Sequence, residues 1–128
     1  MSKTIVDSSI VIDYLRGREP ALRYLEALQE TEQLATHVVV VGEVLSGARN
    51  AREQKAIFDS MRQFELRALS EQDCMMALSF LEERRLSHGV EFHDCLNAAT
   101  CLRLSLPIAT LNDKHFRAFD GISVSRPY

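Results

Sequence analysis

Thr36-His37-Val38-Val39-Val40-Val41-Gly42-Glu43-Val44-Leu45-Ser46-Gly47 is the stretch on which the fold turns. Four consecutive valines favour a strand by propensity. Thr36 is a good helix N-cap, however, and Val40, Glu43, Val44 and Gly47 recur on one helical face. Propensity is a weak prior that tertiary context overrides, and the spacing predicts a helix over about residues 37–49. With a helix here, short strands alternate with longer helices along the chain.

Upstream, Lys3 to Asp7 reads as a short buried strand ending at a polar turn. Ser8 or Ser9 can cap a helix from Ile10 to about Arg16, which Gly17 stops. Pro20 suits the first turn of a second helix carrying Ala21, Leu22, Leu25 and Leu28 at helical spacing. Residues 33–36 form a short strand candidate. Downstream, residues 51–63 read as helix and Phe64 to Leu69 as a half-exposed strand. Ser70-Glu71-Gln72-Asp73 approximates a capping box. It opens a helix expected to bury Cys74, Ala77, Leu78 and Leu81 and to stop at Gly89. Residues 93–104 give another helix, Ile108 to Leu111 a strand, Asn112 to Phe119 a loop or short helix, and Gly121 to Ser125 an edge strand.

This alternation implies an α/β fold on a parallel sheet, in a single domain spanning residues 1–128. No apolar run approaches the ~20 residues needed to cross a bilayer, and the N-terminus lacks a signal-peptide layout, so a cytoplasmic protein with no membrane role is expected. Cys74, Cys95 and Cys101 are odd in number and lack C-x-x-C spacing, which argues against a disulfide framework. A net charge of −3 argues against a simple cationic nucleic-acid binder. It leaves open an enzyme acting on nucleic acid. Arg16, Arg18, Arg49, Arg52, Arg84 and Arg85 come in pairs that form either basic patches or solvated helix surface.

Four acidic sites stand where apolar runs end or bend: Asp7, Glu43, Asp94 and the Asn112-Asp113 pair. Carboxylates at such places are costly to desolvate unless something positive neutralises them. Acids gathered from distant points usually serve a hard divalent cation. Asp7 and the Asn112-Asp113 pair follow strands directly, at the carboxyl edge where α/β sheets bind ligands. Each acid also has a plainer reading: Asp7 as a helix N-cap, Glu43 turned outward to water, Asp94 as a first-turn acid facing the helix dipole.

Other chemistries fit less well. A haloacid-dehalogenase-type phosphatase needs a second Asp where this chain has Ser9, and a phospho-receiver needs an acidic pair before its turn. Ser46 is misplaced for a nucleophile elbow, and no Gly-rich phosphate loop with Lys is present. His93-Asp94-Cys95 suggests a soft-metal cluster on paper, but adjacent helical residues diverge by about 100° and should not converge on one zinc. His88 and His93 therefore read as surface histidines.

Together, Thr4-Ile5-Val6-Asp7-Ser8-Ser9, Gly42-Glu43-Val44-Leu45-Ser46-Gly47-Ala48-Arg49, Phe92-His93-Asp94-Cys95-Leu96-Asn97-Ala98-Ala99-Thr100 and Ile108-Ala109-Thr110-Leu111-Asn112-Asp113-Lys114-His115-Phe116 resemble the four motifs of PIN-domain nucleases. Length, order and spacing are similar to the compact VapC-type toxins of bacterial toxin–antitoxin pairs. The resemblance implies a three-layer α/β/α fold with a short four- to five-stranded parallel sheet. It implies Mg²⁺ or Mn²⁺ held by Asp7, Glu43 and Asp94, with hydroxyl support from Ser8 and Thr110. In the fourth motif the matching slot is Asn112, with Asp113 shifted by one. The implied activity is hydrolysis of RNA, commonly tRNA or ribosomal RNA, by a homodimer silenced by its cognate antitoxin. Two alternatives stay open: a catalytically weak PIN fold serving as an RNA- or partner-binding module, and a nuclease acting on DNA.

Overall fold

The computed structural model describes residues 2–128. Five strands form one parallel sheet: β1 (Thr4–Val6), β2 (Leu34–His37), β3 (Glu65–Arg67), β4 (Ile108–Ala109) and β5 (Val124–Ser125), in the order β3-β2-β1-β4-β5. Every neighbouring pair is parallel, with Val6 opposite both Thr36 and Ala109. The strands are short but almost wholly apolar at the centre, as expected where helices cover both faces. Seven helices among the described residues supply that cover, giving the three-layer α/β/α arrangement.

One layer packs α1 (Ser8–Leu15), α2 (Glu19–Glu30), α3 (Val38–Ser46) and α4 (Ala51–Met61) over Val6 and Ala109. The other packs α5 (Glu71–His88), α6 (Phe92–Leu104) and α7 (Asp113–Phe116) over Ile5, Ala35 and Ile108. Residues from β1 and β4 thus point alternately into two separate cores, as the period-2 geometry of a strand demands.

The valine run is helical, with Val40 and Val44 buried. The cap is His37 rather than Thr36: its ring nitrogen accepts the Val39 N–H at 3.0 Å, while Thr36 remains in β2. Likewise α1 starts at Ser8 with Asp7 in the N-cap position, so neither serine caps it. Leu78, expected in the core, is more than half exposed, because α5 turns Asp73 and Ala77 inward instead. The capping box at Ser70 and Asp73 forms as its sequence predicts, and α5 ends on Gly89 in the left-handed region at φ 68°. Cys95 and Cys101 are buried free thiols.

The chain winds β1, β2, β3 toward one edge, then crosses back to place β4 on the other side of β1. The gap above β1 and β4 is therefore the topological switch point, where loops diverge and leave a crevice at the carboxyl ends.

Candidate functional site

Asp7 sits at that switch point, immediately after β1 and buried. Its backbone carbonyl accepts from Ile10 and Val11, which starts α1, but its carboxylate makes no cap bond. The carboxylate instead faces β4. Thr110 Oγ1 donates to Asp7 Oδ2 at 2.7 Å, and Ser9 Oγ donates to the same oxygen at 3.2 Å. Each hydroxyl is oriented by a backbone donor from the loop after β4: Leu111 N–H to Ser9 at 3.0 Å and Asn112 N–H to Thr110 at 2.9 Å. Both donors thus converge on Oδ2, whereas Oδ1 is buried with no hydrogen-bond partner.

Asp94 is at the third position of α6 and is buried. Its Oδ2 accepts the Glu91 N–H at 3.0 Å, completing a capping box in which Glu91 takes the place usually held by Ser or Thr. Glu43 reaches over from α3, half-buried, with Oε1 inaccessible and unpartnered. Burial pushes the Asp7 carboxyl up from its ordinary pKa. The Thr110 hydroxyl and the Ser8 backbone oppose this, and the nearby Asp94 charge adds to it. Glu43 is also pushed up by burial; His93 opposes the shift, and Asp7 and Asp94 reinforce it. The three acids from the first three motifs therefore share one electrostatic environment.

The fourth motif behaves differently. Asn112 is exposed and makes no side-chain cap on α7. Asp113 turns to Arg117 at 3.4 Å and Arg126 at 3.2 Å. Burial would raise its pKa, but these two guanidinium groups outweigh that and hold it below the usual carboxylate range. What this motif sends to the acids is Thr110, bonded to Asp7, and His115, whose Nδ1 lies 3.2 Å from Asp94 Oδ2. The hydroxyl expected from Ser8 comes from Ser9.

His93 is partly exposed, as a surface histidine should be, but the sequence reading missed its approach to the acids. Its Nε2 lies 3.3 Å from Asp94 Oδ1 and 3.5 Å from Glu43 Oε2. Adjacent helical positions do diverge, yet an imidazole in the first turn is long enough to reach back over the helix start. Cys95, by contrast, points into the core, where burial raises its thiol to about 11. The HD pair itself was the available signal for His93. Asn97, one turn after Asp94, is fully buried with neither amide atom bonded.

The chemistry of the donor set fits a hard divalent cation. Two buried carboxylate oxygens from different elements lack any donor, and like charges within one site strain each other until a cation relieves them. Among the described residues, no three His, Cys, Asp or Glu side chains are already drawn together tightly enough to hold an ion. A cavity of about 760 Å³ runs between α1 and α4 past Ile12, Leu15 and Ile57, with Glu43 on its wall and Arg16 and Arg49 beside it. Four of the six paired arginines have local tasks: Arg18 lies beside Asp13, Arg49 binds Glu53, Arg85 binds Glu91, and Arg84 lies over the Phe80 and Phe119 rings.

A family model described as PIN domain matches residues 4–122. Ribonuclease VapC10 of Mycobacterium tuberculosis (strain H37Rv) is 32% identical over 119 residues, covering 92% of this chain and 89% of that protein. Ribonuclease VapC19 of the same strain is 31% identical over 122 residues, covering 92% and 95%. A toxin–antitoxin complex from Klebsiella pneumoniae superposes with a TM-score of 0.79 at 23% identity over 98% of each chain. A DNA-bound VapBC from Salmonella typhimurium has the same TM-score at 16% identity over all of each chain. At those identities the solved structures bear on the fold alone.

Proposed function

The chain belongs to the PIN-domain family, and from that premise we propose that it is a divalent-metal-dependent endoribonuclease, the toxin of a cytoplasmic toxin–antitoxin pair. The observation that carries the reading is the convergence of Asp7, Glu43 and Asp94 at the switch point, with Asp7 Oδ1 and Glu43 Oε1 left without donors. Asp7, Glu43 and Asp94 would hold Mg²⁺ or Mn²⁺. When bound, such an ion supplies charge neutralisation and a water acidified toward neutral pH. Ser9 and Thr110 hold Asp7 Oδ2 and leave the buried Oδ1 without a donor. His115 and the Glu91 amide fix the rotamer of Asp94. The VapC relatives named ribonucleases support RNA as substrate, tRNA or ribosomal RNA being the expected class. The cavity with Glu43 on its wall, lined by Ile12, Leu15 and Ile57 together with Arg16, Arg49 and Glu53, suits an amphipathic segment of a cognate antitoxin. A homodimer is the expected assembly.

The test is incubation of the purified protein with total RNA and, in parallel, with DNA, followed by mapping of new 5′ ends. Cleavage of RNA that stops in EDTA and returns with Mg²⁺ or Mn²⁺ is the expected result. Metal-independent cleavage overturns the metal assignment, and cleavage of DNA alone overturns the substrate class. A second reading, a weak site kept for RNA or partner binding, is favoured by one observation: the fourth motif offers Asn112, which is exposed, and Asp113, which is held by arginines. Calorimetry with Mn²⁺ separates the two, because a weak site binds the ion feebly.

A further inference from the structure

With the fourth motif contributing no carboxylate to the cluster, the donor set next to Glu43 and Asp94 is completed by a ring nitrogen. We propose that His93 is a metal ligand, so that the centre is a mixed imidazole–carboxylate site rather than an all-oxygen one. This rests on the metal-dependent reading above and adds the identity of one ligand and the metal preference it brings. Donors bound to one ion at about 2.0–2.2 Å lie roughly 3–3.5 Å from one another. His93 Nε2 stands at 3.3 Å from Asp94 Oδ1 and 3.5 Å from Glu43 Oε2, so two of the donor–donor distances already lie in that range, and closing all three donors around one ion takes a side-chain movement. His93 reaches both acids from the first turn of α6, next to Asp94 in sequence; adjacent helical side chains diverge, and it is the imidazole that closes the gap to Asp94 Oδ1.

His115 stands differently. Its Nδ1 approaches Asp94 Oδ2, the oxygen already occupied by the Glu91 N–H. That makes it a positioning residue behind the carboxylate, of the kind that orients metal ligands elsewhere. The carboxylate thus presents Oδ1 toward His93 and keeps Oδ2 for its supports.

An imidazole in the donor set shifts preference away from Mg²⁺, which favours oxygen, toward Mn²⁺ and later first-row ions. Two measurements test this. The first is pulsed electron paramagnetic resonance of the Mn²⁺-loaded protein, which detects a directly bound nitrogen by its echo modulation. Nitrogen modulation is expected in the wild type and its loss in His93→Gln. The second is calorimetric titration with Mn²⁺, Co²⁺ and Mg²⁺. His93→Gln should weaken Mn²⁺ and Co²⁺ at least fivefold while leaving Mg²⁺ within twofold. His93 is more than a third exposed, so the substitution leaves the cores untouched. Absence of nitrogen modulation in Mn²⁺-loaded wild type, or its persistence in the variant, overturns the role of His93 while the metal reading stands. Failure of the wild type to take up any of the three ions overturns the metal reading itself.

Discussion

Helix α6 carries polar residues into two buried sites, one near each end, and they are built on opposite principles. Near its C-terminus, Thr100 and Arg103 meet Asp73 of α5. Arg103 grips both carboxylate oxygens at 2.8 and 2.9 Å, Thr100 donates at 2.8 Å, and the Ser70 N–H donates at 3.0 Å. His37 closes the network, its Nε2 at 2.8 Å from Thr100 Oγ1. Burial alone would raise the Asp73 pKa, but Arg103, the Ser70 amide and Thr100 outweigh it and hold the carboxyl well below the usual range. Near its N-terminus, Asp94 joins Asp7 and Glu43, whose carboxyls are pushed up and which retain bare oxygens. An acid neutralised by a covalently attached cation is architecture. An acid left under-neutralised at the switch point is, on the proposed function, where an exchangeable one would bind.

The sharpest way to break that contrast is to neutralise one aspartate on each side. Asp7→Asn should reduce RNA cleavage on the order of 10³-fold or more, the loss expected when several kcal/mol of metal assistance disappear. The metal-free variant should melt no lower than wild type at neutral pH. The sign follows from linkage: a folded pKa above the unfolded one gives stability present at low pH that is lost as pH rises through the folded value. Cleavage retained in a metal-purified Asp7→Asn protein would remove Asp7 from the site. Asp73→Asn should do the reverse, lowering stability by about 2–3 kcal/mol through lost charge-assisted hydrogen bonds. Below its melting point it should cleave within roughly threefold of wild type. Chemical denaturation beside a cleavage assay decides both.

Acid should find the structural network before it finds the fold as a whole. The His37 ring accepts the Val39 N–H at Nδ1, so its remaining proton faces Thr100 at Nε2 and a second proton has no place. Burial holds its pKa down at about 4; Asp73 opposes this and Arg103 adds to it. The unfolded chain takes up that proton near pH 6.5 and the native chain refuses it until about 4. Stability is therefore lost as pH falls through that window, by about 3 kcal/mol for a shift of this size. His37→Asn should flatten the slope between pH 6.5 and 4; an unchanged slope would assign the acid sensitivity elsewhere. The smallest effect belongs to Asp113. Asp113→Asn should leave Mn²⁺ affinity within twofold, since its carboxylate faces Arg117 and Arg126. A tenfold loss would return it to the metal site.

Much of the fold was legible because its signals are local. Helical spacing over Val40 and Val44 outweighed the strand propensity of four valines, and Ser70 with Asp73 marked the start of α5. Errors gathered where neighbouring elements decide. Thr36 has the chemistry of a cap but belongs to β2, where its hydroxyl donates to the Val6 carbonyl at 2.7 Å. Leu78 fits the apolar stripe of α5, yet the helix turns Asp73, paired with Arg103, and Ala77 inward and leaves it exposed. Ser8 and Ser9 are indistinguishable in sequence. Only the loop after β4, by sending the Leu111 N–H to Ser9, selects which hydroxyl supports Asp7.

The amino-acid sequence by itself determined the alternation of strands and helices, the parallel sheet, and the three acids from the first three motifs, because each depends on residue type and short-range spacing. Tertiary structure alone decided which carboxylates are left bare, that Asp113 faces arginines, and that His93 and His115 flank Asp94. Those outcomes depend on which side chains arrive from residues far along the chain. The Thr110–Asp7 bond spans 103 positions and the His37–Thr100 bond 63, distances over which spacing carries no information and packing carries it all.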